Sequence, residues 1–158
     1  EAFKAYLKQK KLSQSHEAKE IQVWHLLKHH WGERILIFTQ DNETAYKLGK
    51  KFYLPVITHH TKVKERELFL NYFRQGDYKI LVTSKVLNEG VDVPEASVAI
   101  VVSGSGTVRE HVQRLGRILR VSQGKQAILY ELVSKDTAEY FVNQRRRQHS
   151  AYQKSPAV

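Results

Sequence analysis

Apolar residues along the chain fall into short continuous runs separated by amphipathic stretches. Ile35-Leu36-Ile37-Phe38 has the β-branched and aromatic bias of a strand buried on both faces, and Lys79-Ile80-Leu81-Val82-Thr83 and Val98-Ala99-Ile100-Val101-Val102 repeat it. Pro55-Val56-Ile57-Thr58 predicts a shorter strand, and residues 127–133 a last one. Between the strands, the spacing predicts helices over Asn42 to Phe52 and Val63 to Phe73. The second of these is expected to face inward through Leu68, Phe69, Tyr72 and Phe73 and to end at Gly76. Further helices are expected over 108–119 and 137–152. Strands that alternate with helices and are apolar on both faces define an α/β three-layer domain with a mostly parallel sheet. In such sheets ligands sit beyond the carboxyl ends of the strands, so the loops after Phe38, Thr83 and Val102 are where chemistry is sought.

The N-terminal region reads differently. Phe3, Tyr6 and Leu7 stand at i, i+3 and i+4 among lysines, which predicts a basic amphipathic helix over 1–11. Ser13 and Ser15 offer N-caps for a second helix carrying Ile21, Val23, Trp24, Leu27 and Trp31 and stopped by Gly32. Two N-terminal helices are therefore expected before the alternating region, packed on the sheet through Trp24 and Trp31.

Composition narrows the class. The 158 residues are 41% hydrophobic and 27% charged, which suits a globular domain with a real core and excludes a fibre or an unfolded tail. No apolar run approaches the roughly 18–20 residues that cross a bilayer. The absence of cysteine removes disulfides, thiol nucleophiles and cysteine-bound zinc. The N-terminus lacks the apolar core of a signal peptide, so an intracellular location is expected, and the absence of any methionine suggests a fragment, a processed product or one half of a longer enzyme. A formal charge of +10 favours a polyanionic partner, because lysines and arginines gain by releasing counterions from phosphate backbones.

Two segments carry candidate chemistry. Gln113-Arg114-Leu115-Gly116-Arg117-Ile118-Leu119-Arg120 places Arg114, Arg117 and Arg120 along one helical flank, with Gln113 a turn before Arg117. Three guanidiniums on one edge repel unless they share an anion; the bland alternative is a solvated basic face. Gly116 costs a helix roughly 0.8–1 kcal/mol relative to alanine, which suggests close approach of another backbone or a ligand. The loop from Ser84 to Ala96 leaves a buried strand with Asn88-Glu89-Gly90-Val91-Asp92-Val93-Pro94, a polar and acidic cluster at switch-point position, although a long capping connection would look the same.

Taken together, these segments resemble the second, RecA-like motor domain of superfamily 2 helicases. Arg34-Ile-Leu-Ile-Phe-Thr-Gln40 resembles motif IV, Ile80 to Ser84 with Asn88 to Pro94 resembles motif V, and Gln113 to Arg120 resembles motif VI, in family order and at family-like distances over about 34–133. The wording Asn88-Glu-Gly-Val-Asp-Val-Pro-Glu-Ala96 and the turn Ser103-Gly-Ser-Gly-Thr-Val-Arg-Glu110 look closest to the XPB group, particularly its archaeal members. Glu89 and Gln113 stand where DEAD-box proteins usually carry Arg and His, which argues for a DNA translocase over an RNA helicase.

The resemblance implies an ATP-dependent DNA helicase that moves 3′ to 5′ in repair or transcription. Arg117 and Arg120 resemble arginine fingers that stabilise charge on the transferring phosphoryl group, a contribution of roughly 10³–10⁵ in rate. It implies that Gln113, Asp92 and Gly90 serve cofactor binding, with Gln113 sensing nucleotide and Asp92 linking the nucleotide site to motif V, and that Thr83, Glu89 and Arg114 bind DNA, with Gly90 near its path and Thr83 contacting a backbone phosphate. Closure of the cleft would bring Arg117 and Arg120 to the γ-phosphate, and reopening would shift the grip on DNA. The sequence contains no Gly-x-x-x-x-Gly-Lys-Thr loop and no Asp-Glu-x-His motif, so ATP and Mg²⁺ are expected to be held mainly by the N-terminal RecA-like domain of the same polypeptide, and this chain alone is expected to be inactive. Other implied partners are DNA and a repair nuclease or a transcription and repair complex, with no membrane. Residues 1–31 are read as a helical linker or the end of a thumb-like insertion, and 32–158 as the helicase C-terminal domain.

Several features point elsewhere and are weaker. Gly104-Ser-Gly106 resembles a dinucleotide-binding turn, but Arg109 occupies the third glycine position. His29-His30 and His59-His60 are neighbours whose side chains should diverge, so surface histidines are expected and no metal site. Arg145-Arg146-Arg147 could touch DNA or form a solvated face. The rival reading is a non-catalytic nucleic-acid-binding or scaffold module that keeps the fold alone.

Overall fold

The computed structural model describes residues 5–12, 16–39, 41–84, 96–102 and 127–134. Its elements are β1 (Ala5–Leu12), α1 (His16–His29), β2 (Ile35–Thr39), α2 (Asn42–Phe52), β3 (Val56–Ile57), α3 (Val63–Gln75), β4 (Ile80–Thr83), β5 (Val98–Val102) and β6 (Ala127–Ser134). All six strands join one sheet in the order β1-β6-β5-β2-β4-β3, and every pairing is parallel.

The central strands are apolar on both sides because both sides are covered. All five residues of β2 and all five of β5 are buried. Alternate positions then divide between two cores. Leu36, Phe38, Leu81, Ala99, Val101 and Leu129 face Leu70 and Phe73 of α3. Ile35, Ile37, Val82, Val98, Ile100 and Leu132 share the other core with Val23, Leu26 and Leu27 of α1 and Ala45 and Leu48 of α2. Chain direction explains this division: β1 to β2 and β2 to β3 travel one way along the sheet and β3 to β4 returns, so right-handed crossovers put α3 opposite α1 and α2.

The expected three-layer parallel domain is observed, with one correction at its start. Residues 5–12 form a strand, not the first of two N-terminal helices; β1 pairs with β6 from Ala5 opposite Ala127 to Leu12 opposite Ser134. Periodicity over so short a window does not separate the two states, and a partner more than a hundred residues away decides it. The second helix is present, but its packing also needs correction. Val23, Leu26 and Leu27 are buried, whereas Ile21 (49% exposed), Trp24 (42%) and Trp31 (75%) face outward. In α3 the buried residues are Leu70 and Phe73; Phe69 and Tyr72 are partly buried and Leu68 is exposed. The helices expected over 108–119 and 137–152, and the caps at Ser13 and Ser15, lie outside the described residues.

Polar groups fasten the frame. Glu20 accepts from Lys51 Nζ at 2.6 Å and pairs with Lys47 Nζ at 3.2 Å, tying α1 to α2. Burial pushes its carboxyl up, but hydrogen bonds and charge from Lys51 and Lys47 outweigh burial and hold it below the usual carboxylate range. His30 corrects the expectation of surface histidines: it is buried, with Nε2 2.7 Å from Tyr130 Oη on β6. Burial, assisted by Glu33, pushes the Tyr130 phenol up. On its other side the ring places Nδ1 3.4 Å from Glu33 Oε1. His29, His59 and His60 are exposed, but their rings do not diverge: the His59 and His60 centroids are 4.0 Å apart.

Two backbone features shape the end of α2. Tyr53 closes the helix at φ 55°, ψ 48°, a left-handed position where a side chain costs roughly 1 kcal/mol more than glycine. Gly49 lies against β3 so closely that an added Cβ would stand 2.1 Å from Val56 Cγ2. Alanine there gains about 1 kcal/mol of helix propensity, but stiff β-branched Val56 cannot swing away, and overpacking costs about 1–3 kcal/mol. Gly49→Ala should therefore lower stability by about 1 kcal/mol net in a urea melt. The same change made on top of Val56→Ala should cost less than in the parent, the remaining close contact being the Leu54 carbonyl at 3.1 Å, and a stabilising Gly49→Ala single variant would contradict the close packing.

Candidate functional site

Because every strand is parallel, the ends of β2, β3, β4 and β5 share one edge of the sheet. Threonines close three of them in turn. Thr39 ends β2, Thr58 follows β3 and Thr83 ends β4, and all three are buried. A buried hydroxyl needs a partner, and each of these fixes a turn.

Thr39 Oγ1 donates to the Asp41 carbonyl at 2.8 Å. Asp41 then caps α2, its Oδ1 accepting from the Thr44 amide at 2.6 Å while Thr44 Oγ1 donates to Oδ2 at 3.1 Å. Thr58 is the hub of the next turn: its Oγ1 is 2.6 Å from Tyr46 Oη and accepts from the His60 amide at 3.2 Å. Its own amide donates to Thr61 Oγ1 at 2.9 Å, and the Thr61 amide donates back to the Thr58 carbonyl at 3.0 Å. Asn42 Nδ2 donates to His59 Nδ1 at 3.1 Å, which leaves the ring's other nitrogen to carry the proton. Thr83 Oγ1 donates to the Ser84 carbonyl at 2.9 Å, and the Ser84 amide donates to the Ile57 carbonyl at 3.2 Å.

The edge is thus a row of locked turns carrying exposed imidazoles at His59 and His60 beside the first turn of α2. Asp41 and Glu43 place two carboxylates at that turn and Asp41 already takes the Thr44 amide, so contacts to an anionic backbone would fall to the exposed imidazoles and the neutral polar side chains. Of the residues expected to act, Thr83 stands on this edge, but its hydroxyl is fully buried and committed to Ser84, which makes it a residue that fixes the turn. Glu89, Gly90 and Asp92, and Gln113, Arg114, Arg117 and Arg120, lie outside the described residues. Ser84 and Val102, from which their two segments continue, stand at the same edge. Sequence reasoning did not single out Thr39, Tyr46, Thr58 or His59 as members of the site, although a threonine after each of three successive strands is a readable signal.

This arrangement recurs in solved structures of DEAD-box proteins. The fold matches S. cerevisiae Dbp5 bound to RNA and ADP BeF3 with a TM-score of 0.78 at 20% identity, covering 98% of this chain and 40% of that one. A DEAD box protein from the hyperthermophile Methanococcus jannaschii matches at 0.74 and 18%, over 96% of this chain and 40% of its own. At those identities the likeness is one of fold.

Sequence supplies the family. The ERCC3/RAD25/XPB C-terminal helicase profile matches residues 3–154. The DNA 3'-5' translocase XPB2 of Sulfurisphaera tokodaii is 43% identical over 148 residues, which are 94% of this chain and 34% of that protein. The XPB/SSL2 helicase/translocase subunit of general transcription and DNA repair factor IIH from Saccharomyces cerevisiae is 36% identical over 126 residues, 73% of this chain and 14% of that protein. The chain belongs to the ERCC3/RAD25/XPB C-terminal helicase family, and it spans about a third of the length of XPB2.

The hub at Thr58 can be tested directly. Thr58→Val keeps the shape but strips partners from the His60 amide and Tyr46, and should cost about 1–3 kcal/mol in chemical denaturation. His59→Ala, on the exposed side of the same turn, should stay within about 0.5 kcal/mol of the parent. Equal effects would mean that the turn is not organised around the Thr58 hydroxyl.

Proposed function

We propose that this chain is the C-terminal motor domain of an ATP-dependent DNA translocase that moves 3′ to 5′ and serves DNA repair or transcription. The observation that carries the reading is membership of the ERCC3/RAD25/XPB family over 3–154, on a sheet whose motif-bearing segments leave from one edge. In this reading the edge formed by the ends of β2, β3 and β4 faces DNA, with Glu89 and Arg114 along its path.

Arg117 and Arg120 have the chemistry to meet the anionic end of a nucleotide, and the sequence has no phosphate loop to cradle it alone. ATP with Mg²⁺, bound mainly by a preceding RecA-like domain, supplies the transferable phosphoryl group. The two guanidiniums are always charged and rigid, so they stabilise charge that develops on that group without needing to reorganise. Gln113 reports on the nucleotide from the same segment, and Asp92 and Gly90 couple that report to the DNA edge. Thr83 acts as a positioning residue by holding the start of the 85–95 segment. A transcription and repair complex, or a repair nuclease, is the expected assembly, in an intracellular setting.

The test is DNA-stimulated ATP hydrolysis by a polypeptide joining this chain to its phosphate-loop domain. Arg117→Ala should lower the rate by about 10³-fold or more, with Arg117→Lys recovering little because a point charge does not replace the planar fork. A DNA-dependent rate indifferent to Arg117 would overturn the mechanism.

A further inference from the structure

The outward face of α1 carries large apolar side chains that the core does not use. Ile21 and Trp24 line a groove of about 450 Å³ together with Phe52 and Tyr53 at the end of α2, and Glu20 and Lys51 form its polar wall. Trp24 and Phe52 stack with centroids 5.5 Å apart and planes 9° from parallel, which gives the groove a flat, rigid aromatic floor. Tyr53 stands at its mouth almost wholly exposed, at 95%.

Two observations say that this surface is for binding. Single exposed apolar residues are ordinary, but a contiguous cluster built of Trp, Phe, Tyr and Ile has the composition of an interface hot spot. Tyr53 also holds a left-handed backbone that glycine would adopt without strain, while its ring packs into nothing that would repay it.

Charge and position indicate the occupant. Lys51 lines the groove and Lys28 Nζ lies 5.6 Å from the Trp24 ring, while the one acid of the lining, Glu20, is paired with Lys51 and with Lys47 behind it, so the surroundings carry an excess of positive charge. The only other acid on this stripe of α1 is Glu17, a turn before Ile21 and away from Lys28. The groove also lies toward the amino edge of the sheet, because α1 and α2 run back against the strands and Trp24, Phe52 and Tyr53 are in their later halves. That is the side opposite the edge assigned to DNA. The choice of protein over nucleic acid rests on that assignment, whereas the groove itself does not.

We propose that the groove between α1 and the end of α2 is a docking site for a partner protein, which enters as an acidic peptide segment carrying one aromatic or long aliphatic anchor. The anchor lies on the Trp24–Phe52 floor under Tyr53, and the acidic residues meet Lys28 and Lys51.

The experiment is selection of a random dodecapeptide library on this chain, with the Tyr53→Gly variant as the counter-target. Enrichment of peptides that combine Asp or Glu with Trp, Phe or Leu is expected, and no enrichment, or a basic or wholly neutral consensus, overturns the proposal. The best peptide is then synthesised and titrated by fluorescence anisotropy. Binding should weaken about tenfold or more in Tyr53→Gly and in Lys28→Glu, losses of the size expected for hot-spot contacts. Tyr53→Gly relieves the backbone, so its melting temperature should be equal or higher, and lost binding cannot be blamed on lost folding. Unchanged peptide binding in Tyr53→Gly, or twelve-residue oligothymidylate that binds the parent and loses affinity equally in that variant, would refute a protein-docking groove. Concentration-dependent dimerisation abolished by Tyr53→Gly would show that a second copy is the occupant and would also refute it.

Discussion

Everything in this domain hangs on the parallel ladder of β2 with β4 and β5. Five residues of β2, Ile35 to Thr39, are buried on both faces, and their alternate side chains feed two separate cores. A parallel pair cannot be closed by a tight turn, so each connection must cross the sheet, and right-handed crossing then decides which helices cover which face. The same constraint makes every strand end at one edge. The site is therefore a by-product of the core: once the apolar runs pair in parallel, the segments after Thr39, Ile57, Thr83 and Val102 start side by side. Because both faces are apolar, polarity alone does not fix register. The Arg34 carbonyl helps to set it, accepting from the Ser97 and Val98 amides and pinning the start of β5 against β2.

How much of this could be read from sequence depended on whether the deciding information was local. Val98–Val102 and Ile35 to Phe38 were legible because β-branched runs bounded by polar residues have one comfortable state. Gly76, at φ 87°, was legible as a helix stop because a left-handed cap asks for glycine. The strand at Ala5–Leu12 was not, since Phe3, Tyr6 and Leu7 also fit a helical face and the pairing with β6 is written elsewhere in the chain. Lysines are usual on a sheet edge, where they discourage further pairing, so their density there was evidence for an edge strand as much as for a basic helix. In α1 two apolar stripes interleave. Val23, Leu26 and Leu27 take the core, and Ile21 and the much larger Trp24 lose to them because size is not what orients a helix; the whole set of buried positions is.

The motifs of the expected site stand out in the sequence, whereas the bonds that frame the sheet edge do not. Glu89, Gly90, Asp92, Gln113, Arg114, Arg117 and Arg120 stand out by wording and spacing, whereas the bonds that hold the edge join residues such as Tyr46 and Thr58, or Asn42 and His59, whose pairing depends on how α2 lies over β3. Thr83 shows the difference in one residue. Its position at the end of β4 was readable, but the donation of its hydroxyl to the Ser84 carbonyl was not.

One element belongs to both ends of the molecule. α2 is capped by Asp41 at the carboxyl edge, bonds through Tyr46 to the Thr58 hub, and finishes at the Phe52 and Tyr53 surface some eleven residues later, a span of about 16 Å. Between those ends Gly49 leaves no room against Val56, and Glu20 clamps Lys47 and Lys51 to α1. A helix held so closely has little freedom to slide along β3. A ligand that bears on its last turn therefore acts on a rigid rod whose first turn frames the opposite edge. A partner docked at the end of α2 would therefore bear on α1 as well, because the Glu20 ion pairs and the Gly49 contact tie α2 to α1 and to β3.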